Sequence, residues 1–187
     1  MNANELIDAL HTAARLKDVT RHCDTPGGRR ESVAEHSWRL ALLALWLRED
    51  FPEADMDKVL RMCLIHDLGE AFTGDIPVFN KTEADETRER ELLFAWVDSL
   101  PKGIGSEMQA LYEEMLAMKS TEARIYKALD GMEALLAHNE AALSTWEPHE
   151  YELQRRYAVD RAAFSPILRE LRQAILAETE KKIAEGK

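Results

Sequence analysis

Apolar residues recur at helical spacing along almost the whole chain, and this periodicity constrains the fold more than any other feature. From Glu5 to Leu16, Leu6, Ala9, Leu10 and Ala13 share one face. Further helices are predicted over about 33–49, 55–71, 82–99, 106–117, 121–144 and 160–184, the last capped by Asp160 or by Ser165-Pro166. Ser32-Val33-Ala34-Glu35 matches a capping box that opens the second of them. Pro52, Pro101 with Gly103, and Pro148 mark breaks between helices. Asp18 to Glu31 reads as a turn-rich segment around Thr25-Pro26-Gly27-Gly28. No alternating run rich in Val, Ile and Thr competes as a strand, and 8 Gly with 6 Pro are too few for a turn-dense all-β fold. The expectation is an all-α single domain over 1–187, with its core at about 16–144 and a C-terminal helix at about 160–184.

A chain of 187 residues buries roughly 70% of its unfolded surface and needs no disulfides to fold. Cys23 and Cys63 form no CxxC pair and read as small core or loop residues. The net charge of −11 disfavours nucleic acid and anionic membrane surfaces, which both require a basic face. The longest apolar stretch, Leu40 to Leu47, is far short of the ~20 residues that span a bilayer. The start MNANELIDAL lacks the basic and apolar regions of a signal peptide, so a cytoplasmic protein is expected.

Four polar residues stand where apolar ones belong. His36 shares the stripe of Val33, Leu40, Leu43 and Leu47. His66-Asp67 lies in the apolar run Cys63-Leu64-Ile65-His66-Asp67-Leu68, and Asp130 stands between Leu129 and Met132. Singly, each has an ordinary reading: a buried histidine is usually hydrogen-bonded, and a core aspartate caps a helix or pairs with an arginine. An unpaired buried carboxylate is costly, however. Two His and two Asp from three helices meet in a core only if something positive joins them. A divalent cation does so, since imidazole and carboxylate suit Mn, Fe, Co, Ni or Zn. Glu70 follows His66 by four residues and projects from roughly the same helix face, where a carboxylate can orient or deprotonate a water. Thr73-Gly74-Asp75-Ile76-Pro77 ends that helix and leaves Thr73 and Asp75 near the mouth of any pocket.

The ordered set His36, His66-Asp67 and Asp130 resembles the HD-domain metal-dependent phosphohydrolase superfamily. The runs Glu31-Ser32-Val33-Ala34-Glu35-His36-Ser37, His66-Asp67-Leu68-Gly69-Glu70, Thr73-Gly74-Asp75-Ile76-Pro77 and Thr121-Glu122-Ala123 are similar to its small 5′-deoxynucleotidase branch. The resemblance covers about residues 16–136. It implies an HD-type helical bundle, a homodimer, and one divalent transition metal on His36, His66, Asp67 and Asp130. It implies hydrolysis of a nucleoside 5′-monophosphate to nucleoside and phosphate. Glu70 and Asp75 fall on catalytic or substrate-contacting positions, and Arg21 falls on the phosphate-binding arginine. Thr73 is carried with them as a substrate contact. In the characterised deoxynucleotidases an aromatic residue follows that arginine closely and helps discriminate the sugar. Here His22, Cys23 and Asp24 follow Arg21, so ribose against deoxyribose stays open and another phosphate ester fits as substrate.

In the chemistry so implied, a divalent ion polarises the phosphate and activates water. Arg21 offers a planar donor fork to the non-bridging oxygens, Glu70 handles the proton of the water, and Asp75 serves the leaving oxygen or the sugar. The acidic surface does not attract a phosphate ester. The pocket must supply its own positive field from the metal, Arg21 and either Arg29-Arg30 or neither, that pair reading equally as a solvated loop. Trp38 points away from His36 and reads as packing. His11, His138 and His149 show no partner pattern. The alternatives are a metal-containing nucleotide-binding regulatory protein without turnover, a phosphodiesterase, or a guanosine polyphosphate hydrolase. A di-iron carboxylate bundle and an HExxH protease lack their motifs.

Overall fold

In the structure, a computed structural model, residues 2–186 are described; Met1 and Lys187, the ends of the expected domain, lie outside them. Helix α1 covers Ala3–Ala14, followed by a short antiparallel hairpin of β1 (Thr20–Asp24) and β2 (Arg30–Ser32). Then come α2 (Val33–Trp46), α3 (Met56–Ile65), α4 (Glu70–Thr73), α5 (Glu83–Ser99), α6 (Lys102–Ala117) and α7 (Thr121–Glu140). The chain closes with α8 (Glu150–Arg156), α9 (Val159–Ala162) and α10 (Pro166–Glu185).

The hairpin replaces the expected turn-rich segment. Its arms are too short and too polar to read as strands, and Thr25-Pro26-Gly27-Gly28 forms its turn, with Gly28 at φ 79°. Helix α6 starts at Lys102, ahead of the expected Ser106, because Pro101 stands at its N-cap and leaves Gly103 and Gly105 inside it. Of the two expected starts for the C-terminal helix, Asp160 and Ser165-Pro166, the second is the one formed: α10 starts at Pro166 with Ser165 at its N-cap, and the residues before it form the short α8 and α9.

Helix α2 opens on the capping box read from the sequence: the Ser32 hydroxyl accepts from Glu35 N–H while Glu35 accepts from Ser32 N–H. It packs against α3 and α7 through Val33, Leu40, Ala44, Val59, Met62, Cys63, Ile125, Leu129 and Met132, all at most 1% exposed. Such close packing fixes side-chain positions along the faces that point inward. Leu168 and Ile175 bring α10 onto α7, and α6 pairs with α5 across the α3 side.

Helix α3 ends at Ile65, short of the predicted Ala71. From there the backbone tightens into three-residue turns: Leu68 N–H to Ile65 O, Glu70 N–H to Asp67 O, and Phe72 N–H to Gly69 O. Tyr112 on α6 donates to Ile65 O at 2.6 Å and gives that carbonyl a second donor at the break. Gly74, at φ 78°, then turns the chain so that Asp75 to Phe79 run along a cavity. Arg172 on α10 donates to the carbonyls of Gln154, Arg155 and Tyr157, holding the C-terminal end of α8 in place.

Candidate metal centre and its cavity

Each of the four expected ligands sits on an element that the core holds still. His36, on the buried face of α2, is 1% exposed. His66 and Asp67 occupy the tight turn after α3, and Asp130 lies midway along α7. His36 Nε2 lies 3.1 Å from His66 Nε2, 3.7 Å from Asp67 Oδ2 and 3.3 Å from Asp130 Oδ1. His66 Nε2 lies 2.9 Å from Asp67 Oδ2 and 3.6 Å from Asp130 Oδ1. Ligand atoms about 2.1 Å from a shared ion stand about 3.0–3.5 Å apart; His36, His66 and Asp67 lie within 4.8 Å of one another, near that spacing, and Asp130 approaches both histidines.

Proton placement makes the same point. His66 Nδ1 lies 2.9 Å from Cys63 O, which can only accept, so Nδ1 carries the hydrogen and a neutral ring has its lone pair on Nε2. His36 Nδ1 faces the Glu133 carboxylate, which fixes the same tautomer. Two neutral rings would therefore aim lone pairs at each other and at two carboxylates. A cation resolves that arrangement, and His36, His66, Asp67 and Asp130 fit a divalent ion. Without such an ion, the same carboxylates draw a proton onto the histidines instead. Burial opposes charge on His66, yet Asp67 and Asp130 raise it to about 10. Burial pushes Asp67 up, and His66 and His36 bring it down to about 2. Asp130 is held well below its usual range against burial by Lys127, 2.8 Å away, and the two histidines.

The cavity around this centre is about 380 Å³, the size range of a small-ligand site. Arg21, His36, Asp67, Glu70, Asp75 and Asp130 line it. Arg21 reaches it from β1, gripped from behind by Glu31 at 2.7 Å and Glu133 at 3.4 Å, both through Nη1. Among the described residues, its Nε and Nη2 have no protein partner. Glu70 is 6% exposed, and burial with Asp67, Asp75 and Glu89 around it pushes its carboxyl up to about 10. Asp75 is also raised, by burial first and Asp67 next, against Arg21 and Lys81.

Thr73 does not line this cavity. Its hydroxyl lies 3.4 Å from Glu89 on α5 and 3.3 Å from Gly74 O. Arg29 pairs with Glu35, and Arg30 lies 3.5 Å from Asp24, so neither adds to the field inside. Trp38 points away from the centre as expected, but at 62% exposed it packs little.

Several residues in the cavity wall or behind it carry weaker signals. Glu133, 1% exposed, holds His36, Arg21 and Arg39; a buried Glu one turn after Asp130 is as costly as Asp130 itself, and that signal was present in the sequence. His138, read as partnerless, stacks on Trp146 and lies 3.4 Å from Glu150. Gln154 and Glu150 become cavity residues only because α8 folds back on α7.

The sequence matches the HD domain family over residues 13–172. It is 32% identical over 142 residues to human 5′-deoxynucleotidase HDDC2, covering 74% of this chain and 69% of the human protein. The mouse protein of the same name is 31% identical over 137 residues, 72% of this chain and 66% of its own length. The chain thus aligns with about two thirds of these relatives. Among solved structures, a predicted metal-dependent phosphohydrolase from Magnetospirillum magnetotacticum MS-1 superposes with a TM-score of 0.81 at 29% identity, covering 96% of this chain and 93% of that one. The cyanophage S-2L HD phosphohydrolase DatZ, bound to dA and one catalytic Zn²⁺, shares the fold with a TM-score of 0.58 at 23% identity, covering 94% and 96%.

Proposed function

Because the chain belongs to the HD-domain family, we propose that it is a metal-dependent phosphomonoesterase that hydrolyses nucleoside 5′-monophosphates, deoxynucleotides above all, to nucleoside and phosphate. One observation carries this reading: His36, Asp67 and Asp130, with His66 packed behind them, meet two further carboxyl groups and an arginine with free donors at one cavity of nucleotide size. The similarity to 5′-deoxynucleotidases supports the substrate class.

A divalent transition metal on His36, His66, Asp67 and Asp130 would supply Lewis-acid polarisation and a lowered pKa for water. Arg21 binds the non-bridging phosphate oxygens through Nε and Nη2, and Glu31 and Glu133 keep its fork aimed. Glu70, raised by burial and by Asp67, would lose its proton once a cation neutralised Asp67, and it then orients the attacking water or handles its proton. Asp75, on the loop at the cavity mouth, serves the leaving 5′-oxygen or the sugar hydroxyl. Phe79 meets His22 edge to face with ring centroids 5.5 Å apart, so an aromatic surface returns beside Arg21 from a distant loop. This supports a sugar-facing role for Phe79, in place of the aromatic missing after Arg21. A nucleotide sensor without turnover has no use for Glu70 and Asp75, which favours the enzyme.

A cytoplasmic homodimer completes the reading. No helix among the described residues is long and apolar enough to cross a membrane. Trp38, Leu45 and Trp46 share one exposed face of α2, which suits a second copy of the chain. The acidic surface favours a small-molecule partner over nucleic acid.

The test is phosphate release from ribo- and deoxyribonucleoside 5′-monophosphates with added Mn²⁺ or Co²⁺, beside a chelator control. Metal-dependent release is expected, faster for the deoxy series. Release that persists in chelator, or none from any nucleotide, would overturn the proposal.

A further inference from the structure

Resting on the nucleotidase reading above, we infer that the far end of the cavity reads the nucleobase through the side-chain oxygen of Gln154. It would select an amino group at purine C6 or pyrimidine C4, favouring adenine and cytosine. The cavity follows one face of α7, lined in turn by Lys127, Asp130, Ala134 and His138. From Asp130 to His138 the helix rises about 12 Å, the scale of a nucleotide from phosphate to base edge. Gln154, on α8, lines the wall at that far end, and its side-chain nitrogen touches α7 at Leu135 and Asn139.

The orientation of the Gln154 amide is forced. Its Nε2 donates to Leu135 O at 3.1 Å, a backbone carbonyl that can only accept. It also donates to Asn139 Oδ1 at 2.9 Å. Asn139 cannot flip, because its Nδ2 donates to Ile175 O at 3.1 Å. Oε1 of Gln154 is therefore the group left over, and among the described residues no protein group donates to it. The residue is only 3% exposed, on a helix end that Arg172 pins by hydrogen bonds to the carbonyls of Gln154, Arg155 and Tyr157. An acceptor held rigidly in the cavity wall without a protein donor is a ready partner for a ligand N–H. Adenine and cytosine bring an N–H₂ group to that position. Hypoxanthine, guanine, uracil and thymine bring an oxygen, which sets acceptor against acceptor and leaves both unpaired. His138, whose Nε2 lies 3.4 Å from Glu150, lines the same end of the cavity on the neighbouring turn of α7.

The experiment compares kcat/KM for dAMP against dIMP and for dCMP against dUMP, with Mn²⁺, in the wild type and in Gln154→Met. Within each pair the exocyclic group changes from amino to oxo, and the ring nitrogen beside it gains a hydrogen. The wild type is expected to favour the amino member by about tenfold or more, and Gln154→Met to bring both ratios near one. Equal rates in the wild type overturn the inference whether or not the variant folds, and so does a preference that survives Gln154→Met. If no nucleotide is hydrolysed, the nucleotidase reading fails by itself. Dissociation constants of the same four compounds, measured by calorimetry, then decide the Gln154 contact by the same ratios.

Discussion

Two imidazole nitrogens 3.1 Å apart, each with its hydrogen committed to the far side of its ring, demand a positive charge between them. That demand, together with two flanking carboxylates, ties the candidate centre to a cation more firmly than any single residue does. It also separates binding from turnover. Asp67→Ala removes a donor atom common to both histidines, and bound metal measured after dialysis is expected to fall from one equivalent to a small fraction. Full retention would sink the four-ligand centre. Glu70→Gln is expected to keep its metal while kcat drops by about 10²–10⁴-fold, the usual contribution of a positioned acid or base. An active Glu70→Gln enzyme would take Glu70 out of the chemistry. His36, His66, Asp67 and Asp130 were legible in sequence because each interrupts an apolar stripe. Gln154 was not, because a glutamine on a short polar helix violates no pattern until α7 and α10 bury it.

Elements place these residues through their ends. The start of α2 rests on Ser32 and Glu35, and two consequences follow. Ser32→Ala is expected to cost about 1 kcal/mol of stability, seen as a lowered midpoint in thermal or urea unfolding. Glu35 is drawn down to about 2, by its hydrogen bond to Arg29 first and then by Ser32 N–H. A carboxyl whose folded pKa lies below its unfolded value stabilises above the unfolded pKa and loses that contribution as pH falls through the folded one. The stability gap between wild type and Glu35→Gln should therefore be full at neutral pH and shrink between about pH 4.5 and 2. A gap that stays constant across that window would remove Glu35 from the cap. The capping box was readable because its chemistry is local. The end of α3 was not: residues 55–71 keep helical periodicity, yet the backbone tightens after Ile65, where Tyr112 from α6 gives the Ile65 carbonyl a second donor.

For the whole molecule, the open question is what covers α2. Trp38 is 62% and Trp46 73% exposed on a face that the core leaves free. If a second copy covers it, light scattering should give a dimer mass for the wild type and a monomer mass for Trp46→Glu; a monomeric wild type would sink the idea. Helical periodicity in the sequence was enough to specify an all-α chain, because a stripe with a 3.6-residue period can be buried only by helix packing. The same stripes exposed the four misplaced polar residues, since burial makes a charged side chain conspicuous wherever it falls. Tertiary structure alone decided the rest. It turned Thr73 toward Glu89, kept Arg29 and Arg30 outside, folded a polar turn segment into the hairpin that delivers Arg21, and laid Gln154 against α7. Each of these depends on contacts between residues far apart in the chain, and local pattern carries no record of which distant surfaces will meet.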